Sequence, residues 1–311
     1  MKPSSMKLSF SPLTIERRKR EEYSSLFALC GERASDYSFT NIWGWSEERR
    51  YEWAFHDGLC WLRLTGGPAP VWWAPVGNWN RPDWAELLNG LFPSGAVFER
   101  VPQTLAGIWR EQLRERLRLE EQRSEWEYLY SCEKMIALSG NRLHKKKNLL
   151  NQFRKFYDYT YAPICGKRIE AIRAMQEEWF RWRGCEESPG LAAENTAIAR
   201  VLNHWEELPG ILGGSLSVRD AGGGDRTVAY TVAEDLGDGT VVIHFEKGLD
   251  SCKGVYQAIN QIFLEQSRER AFTFVNREQD MGIEGIRQAK ESYGPVGFLK
   301  KYKAFWLGGT I

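Results

Sequence analysis

The 311-residue chain contains no run of about 18 consecutive apolar residues, so no membrane span is expected of it. No apolar segment of signal-peptide length follows the charged start Met1 to Lys7. The expectation is a soluble cytoplasmic protein, with peripheral contact to a membrane left open. Net charge is nearly absent too: 42 Lys+Arg face 41 Asp+Glu, which argues against a globally basic nucleic-acid binder. The six cysteines (Cys30, Cys60, Cys132, Cys165, Cys185 and Cys252) form no C-x-x-C pair and no Cys/His cluster at metal-ligand spacing. Scattered thiols fit a reducing cytoplasm, and no metal site is expected. There is no P-loop, no G-x-S-x-G, no H-E-x-x-H and no credible G-x-G-x-x-G, so no cofactor is expected. What the chain does have is apolar mass. At 42% hydrophobic it can build real cores, and its length suits two domains. Most of its 14 Trp lie in the first half, among them Trp43, Trp45, Trp72, Trp73, Trp79 and Trp84, and they read as core.

The second half has the clearer periodicity. Leu149, Leu150, Phe153 and Phe156 recur at helical spacing over 141–157, opposite a basic face. A strand follows from Tyr159 to Cys165, held to an edge or a strand end by Pro163. Helices near 168–183 and 192–207 flank the turn Ser188-Pro189-Gly190. Strand-like runs Ile211 to Val218, Thr227 to Ala233 and Thr240 to Glu246 are divided by glycine-rich turns at 222–225 and 237–239. A helix over 254–270, a strand at Ala271 to Val275, a helix over 282–292 and a strand from Val296 to Trp306 complete the half. This order resembles a GNAT-type acyltransferase domain, a likeness that licenses a fold and not a chemistry. The first half echoes it: a helix near 13–30, a hairpin from Tyr51 to Leu64 turning at His56-Asp57-Gly58, then alternating strands and helices to residue 117. The expected class is therefore α+β, two tandem GNAT-like domains over 1–135 and 136–311, with mixed sheets flanked by helices and the site in the second.

Three segments could carry chemistry. From Lys134 to Arg168 there are nine Lys/Arg (Arg142, Lys145, Lys146, Lys147 and Arg154 among them) and one acid, Asp158. Such a run attracts phosphates, or is a solvated helix face. In Val242-Ile243-His244-Phe245-Glu246-Lys247, strand alternation places His244 and Glu246 on one face, where they could share a proton or orient an amine. Half-buried structural roles are the competing reading. Asn276-Arg277-Glu278-Gln279-Asp280 ends the strand before it, where ligands dock in α/β domains, although Asp280 also suits an N-cap for the next helix. Arg287, Lys290 and Tyr293, three apart, can line one side of that helix. The place of a CoA-phosphate turn reads Ser251-Cys252-Lys253-Gly254-Val255-Tyr256, which keeps one glycine of the Arg/Gln-x-x-Gly-x-Gly/Ala pattern.

Asp36-Tyr37-Ser38-Phe39-Thr40-Asn41-Ile42-Trp43, His244-Phe245-Glu246-Lys247 and Asn276 to Gly282, followed by Arg287, Ala289-Lys290 and Ser292-Tyr293-Gly294-Pro295, together resemble the bacterial family related to the C-terminal domain of phosphatidylglycerol lysyltransferase. The resemblance runs from about Leu8 to Phe305 and implies kinship with Fem-type aminoacyl transferases. Those relatives move an amino acid from aminoacyl-tRNA to a lipid hydroxyl or a peptide amine. On that reading Asp280 or Glu246 is the base and Arg277 the electrostatic clamp, with His244 beside them. Asn276, Glu278, Arg287, Lys290, Tyr293 and Lys247 are expected substrate contacts. Arg142, Lys145, Lys146, Lys147 and Arg154 are expected to meet tRNA or anionic phospholipid. An acyl-CoA-dependent N-acyltransferase and a non-catalytic module binding an anion are the alternatives.

Overall fold

The computed structural model describes residues 7–184, 188–219 and 222–309; Cys185 and the charged start before Lys7 lie outside the described residues. The chain packs as two compact units, Met1–Glu127 with Leu299–Ile311, and Tyr128–Phe298.

The first unit runs β1 (Ser11–Pro12), α1 (Arg17–Phe27), α2 (Phe39–Gly44), α3 (Ser46–Arg49), β2 (Tyr51–His56), β3 (Leu59–Leu64), β4 (Val71–Trp73), β5 (Val76–Gly77), α4 (Trp84–Leu91), β6 (Ala96–Pro102), α5 (Gln103–Leu113) and β7 (Leu117–Glu121). Asp57 and Gly58 join β2 to β3, both at positive φ (53° and 71°), the backbone that a right-twisted two-residue hairpin requires. Most of this unit's tryptophans are core: Trp53, Trp61, Trp73, Trp84 and Trp109 are fully buried, while Trp45 and Trp72 are half-buried. Trp84 meets Trp109 edge to face at 5.4 Å, which fastens α4 to α5.

The second unit runs β8 (Glu127–Ser131), α6 (Cys132–Ala137), α7 (His144–Phe156), β9 (Tyr159–Pro163), α8 (Gly166–Trp182), α9 (Pro189–Asn203), β10 (Ile211–Arg219), β11 (Asp225–Asp235), β12 (Thr240–Gly248), α10 (Val255–Gln266), β13 (Phe274–Asn276), α11 (Glu284–Glu291) and β14 (Gly297–Leu299). Its sheet is ordered β14-β8-β13-β12-β11-β10-β9, so the strand carrying Pro163 is an edge, where its missing N–H costs no ladder bond. Ala233, Val241, Ile243 and Val275 pack with Phe263 and Leu264 of α10 and Met135 and Ile136 of α6. Of the apolar positions expected to seat α7, Leu150 and Phe153 are buried, whereas Phe156 is 66% exposed.

The last strand departs from the sequence reading. The run Val296 to Trp306 divides, and β15 (Lys301–Trp306) enters the first unit's sheet between β6 and β7. The junction expected at 135/136 falls inside α6, and the chain passes between units at 127/128 and 298/299. A buried charge cluster explains why β15 belongs there. Lys301 contacts Asp36 and lies 2.6 Å from Glu127, while Arg100 also pairs with Asp36. Glu127 accepts from the backbone N–H (3.0 Å) and hydroxyl (2.9 Å) of Ser35. Burial pushes the Asp36 carboxyl up, but the charges of Arg100 and Lys301 outweigh it and bring it down to about 2. The Asp36 to Trp43 motif is thus architectural: Tyr37 donates to the Arg100 carbonyl (3.0 Å), and Ser38 caps α2.

Candidate functional site: a split between parallel strands

β12 and β13 are parallel and paired from Thr240/Phe274 to Val242/Asn276. There β13 ends, while β12 continues to Gly248 without its parallel neighbour. Side chains beyond Val242 therefore border a wedge at the carboxyl ends of the two strands.

A bulge sets what faces the wedge. Val232 pairs with Phe245 but Ala233 with Ile243, so His244 is an extra residue in β12. Simple alternation, which put His244 and Glu246 on one face, fails at this point. Glu246 bonds Asn260 of α10 (2.9 Å) and Arg277 (3.0 Å). His244 instead lies between Glu234 (3.0 Å from Nε2) and Glu278 (2.9 Å from Nδ1). Burial would lower the imidazole pKa, but the two carboxylates prevail and raise it to about 9. His244 is accordingly a cation at neutral pH and a poor base. Its bonds contribute stability that is complete below the unfolded-state value of about 6.5 and is lost as pH rises through about 9. The melting temperature is expected to fall across that interval, and a His244→Gln variant should flatten the fall; an equal slope in both proteins would remove His244 as its origin.

The Asn276-Arg277-Glu278 segment straddles the end of the sheet, sending Arg277 to Glu246 and Glu278 to His244. Glu278 and Met281 hold positive φ (both 55°), a conformation costly for residues with a Cβ. A set of internal bonds holds it. Asn276, buried, accepts from the Glu278 N–H (2.8 Å). The Lys290 ammonium donates to the carbonyls of Arg277 (2.5 Å), Glu278 (3.1 Å) and Gln279 (2.6 Å), which uses its three hydrogens within the loop. Asp280 accepts from Tyr128 (2.7 Å), the Gly282 N–H (2.8 Å) and Arg287 (2.8 and 3.1 Å). Burial raises its pKa, but the bonds from Arg287 and Tyr128 carry it well below the carboxylate range. A carboxylate so committed is a weak proton acceptor. Nor does it cap α11, whose N-cap is Ile283 with no side-chain cap bond. Asp280→Asn replaces an acceptor oxygen by an amide donor facing Arg287 or Tyr128. The variant is expected to melt several degrees lower; an unchanged melting temperature would refute the anchor role.

Other expected contacts also have local work. Lys247 pairs with Glu194 (2.7 Å) and lies 4.3 Å from the Trp179 ring. Arg154 bonds Gln261 and Glu265 of α10. Lys145 and Lys147 are exposed, whereas Lys146 turns inward to the Tyr293 ring at 4.5 Å, and Arg277 lies 5.0 Å from the same ring. Three residues of this arrangement carried no mark in the sequence: Tyr128, Glu234 and Asn260. Only strand pairing and helix seating bring them here.

The start of α10, where a CoA pyrophosphate would dock in a GNAT-type domain, is covered. A Cβ on Gly254 would lie 2.2 Å from the Leu149 carbonyl oxygen, so the α7 backbone sits directly upon that turn. The Lys253 N–H already donates to the Tyr157 hydroxyl (3.0 Å) and the Val255 N–H to the Cys252 carbonyl (3.1 Å).

The sequence matches the family described as "Phosphatidylglycerol lysyltransferase, C-terminal" over residues 27–305. The chain belongs to this family. A conserved protein of unknown function from Bacteroides thetaiotaomicron is 28% identical, with a TM-score of 0.83 over 96% of this chain and 99% of the other. L-PGS from Bacillus licheniformis superposes with a TM-score of 0.63 at 13% identity, covering 94% of this chain and 93% of that one. FemX does so at 0.58 and 7%, covering 95% and 97%. At such identities the last two speak to fold alone: an α+β, tandem GNAT-like architecture. Family membership supports an acyltransferase as the class of activity. No helix among the described residues is long and apolar enough to cross a membrane.

Proposed function

We propose that the second unit transfers an aminoacyl group from aminoacyl-tRNA to a lipid hydroxyl or a peptide amine. The observation that carries this reading is the Glu246–Arg277 pair at the split between β12 and β13. The donor ester is already activated, so the protein has to position it, take a proton and stabilise an oxyanion. In the proposed step the acceptor oxygen or nitrogen attacks the ester carbonyl, and its proton passes to Glu246, which Asn260 orients. Arg277 meets the charge developing on the carbonyl oxygen, and the ribose oxygen departs with the proton. Lys145 and Lys147, without an acidic partner among the described residues, supply an outer basic face on α7 suited to tRNA or anionic phospholipid.

The covered turn at Gly254 weighs against an acyl-CoA donor, since the α7 backbone lies on it and two of its N–H groups already have partners. The test is incubation of the full chain with labelled aminoacyl-tRNAs and a pool of lipids, peptides and amines, alongside calorimetric titration with acetyl-CoA. Label transfer without acetyl-CoA binding is the expected result. Saturable micromolar acetyl-CoA binding would overturn the donor assignment, and tight binding of an anion without turnover would favour a non-catalytic module.

A further inference from the structure

Three cations, Arg142, Lys146 and Arg277, gather around Tyr293 and Gly294, with the Glu246 and Glu291 carboxylates near them. Arg277 pairs with Glu246 and stacks on Tyr293, whose hydroxyl accepts from Gln257 (3.4 Å). Lys146 approaches the same ring from α7 at 4.5 Å, half-buried and with no carboxylate partner among the described residues. Arg142 donates to the Glu291 carbonyl (2.6 Å), and its side chain runs past Gly294, where a Cβ would lie 3.4 Å from Arg142 Cδ. Gly294 holds φ +69°, so the backbone that presents Tyr293 also leaves room for this guanidinium. Two like charges facing one ring are costly unless something answers them, and burial, with the neighbouring Arg277 charge added, depresses the Lys146 pKa.

We propose that Arg142, Lys146, Arg277 and Tyr293 form a binding site for a phosphate monoester. Arg142, Lys146 and Arg277 outnumber the Glu246 and Glu291 carboxylates and leave a positive surplus. A monoester is close to a dianion at pH 7, whereas a phosphodiester or carboxylate carries one charge. The donors differ in a useful way: two planar forks and one ammonium can share the terminal oxygens of a tetrahedral group, and the ring supplies a flat wall beneath it. The inference rests on reading the split as the ligand cleft, but it does not depend on which acyl donor is used. An acceptor or effector carrying a terminal phosphate is the implied ligand, either soluble or borne on a lipid.

Calorimetric titration of the full chain with glycerol 3-phosphate, dimethyl phosphate and acetate tests the class. Glycerol 3-phosphate is expected to bind saturably and roughly tenfold or more tightly than either monoanion. Lys146→Met and Arg142→Gln should each weaken it by about tenfold while leaving the melting temperature near that of the parent. Sedimentation with phosphatidylcholine vesicles, with and without phosphatidic acid, separates the sources. Retention that requires phosphatidic acid and Lys146 indicates a lipid-borne monoester, and binding of glycerol 3-phosphate alone indicates a soluble one. Absence of saturable binding to glycerol 3-phosphate, equal affinity for dimethyl phosphate, or undiminished binding in both variants would overturn the proposal. Because no transfer is measured, failure of the aminoacyl-transfer reading leaves this titration intact.

Discussion

Lys301→Met is expected to unfold, or nearly unfold, the first unit. The ammonium is fully buried and lies between Asp36 and Glu127, both also buried. Removing one partner of a buried ionic set leaves an uncompensated charge and costs about 3–5 kcal/mol. A domain has only about 5–15 kcal/mol of stability to lose. Asp36 retains Arg100, so the larger loss falls on Glu127, which keeps its bonds from Ser35 but loses the ammonium at 2.6 Å. A second substitution tests that assignment. Glu127→Gln on the Lys301→Met background keeps an acceptor for Ser35 and removes the stranded charge, so it should restore part of the stability. The position of β15 between β6 and β7 adds a further consequence. Ending the chain before Leu299 removes an inner strand from the sheet together with the cation. Such a chain should fail to fold its first unit while Tyr128–Phe298 keeps its own sheet. Chemical denaturation followed by tryptophan fluorescence reads the first unit well, because Trp53, Trp61, Trp73, Trp84 and Trp109 are buried there. A Lys301→Met protein with the parent's midpoint would sink the argument.

The errors in the sequence reading have a common physical origin. Period-two and period-3.6 patterns report which face of an element is buried, and on that basis the second unit's elements from α7 to α11 are legible nearly to their ends, whereas β8 and α6 are not. Patterns do not report partners. The run Val296 to Trp306 is strand-like on any count, yet nothing local says that its second part joins β6 and β7, which lie some 200 residues earlier in the chain. The His244 bulge is invisible for the same reason, because Val242 to Lys247 alternates regularly as a string and slips only against β11. The neighbours of Asp280 along the chain suit it to a cap of α11, which the structure does not make. One partner of Asp280, Arg287, is seven residues on, but another, Tyr128, is 152 residues away. The Asn-Arg-Glu-Gln-Asp segment was legible as a place, since polar residues clustered at a strand end rarely serve packing. The bonds its residues make reach partners far along the chain, Tyr128 and Glu246 among them, which no local pattern records.

That division makes Glu246→Gln the sharper test of the site. Glutamine keeps the length of the side chain and an acceptor for Arg277, and the Asn260 amide can turn to receive the new donor. The substitution therefore removes charge and basicity with little change of shape. Loss of a positioned general base costs about 10²–10⁴-fold in rate, so kcat/KM is expected to fall by that factor. Arg277→Ala is expected to cost about 10²–10³-fold through the unanswered oxyanion. The two losses should not add, because each residue holds the other in place (3.0 Å). Stability moves differently. Arg277 keeps the Tyr293 ring and part of its solvent in the Glu246→Gln protein, so the melting temperature should drop only modestly. Asp280→Asn should show the reverse pattern, a clear loss of stability with a smaller loss of rate per folded molecule. Rates measured well below both melting temperatures separate the two cases. Full activity in Glu246→Gln would show that the acceptor's proton goes elsewhere, and with Asp280 held by Arg287 and His244 already protonated, the amine or hydroxyl would have to lose it to water.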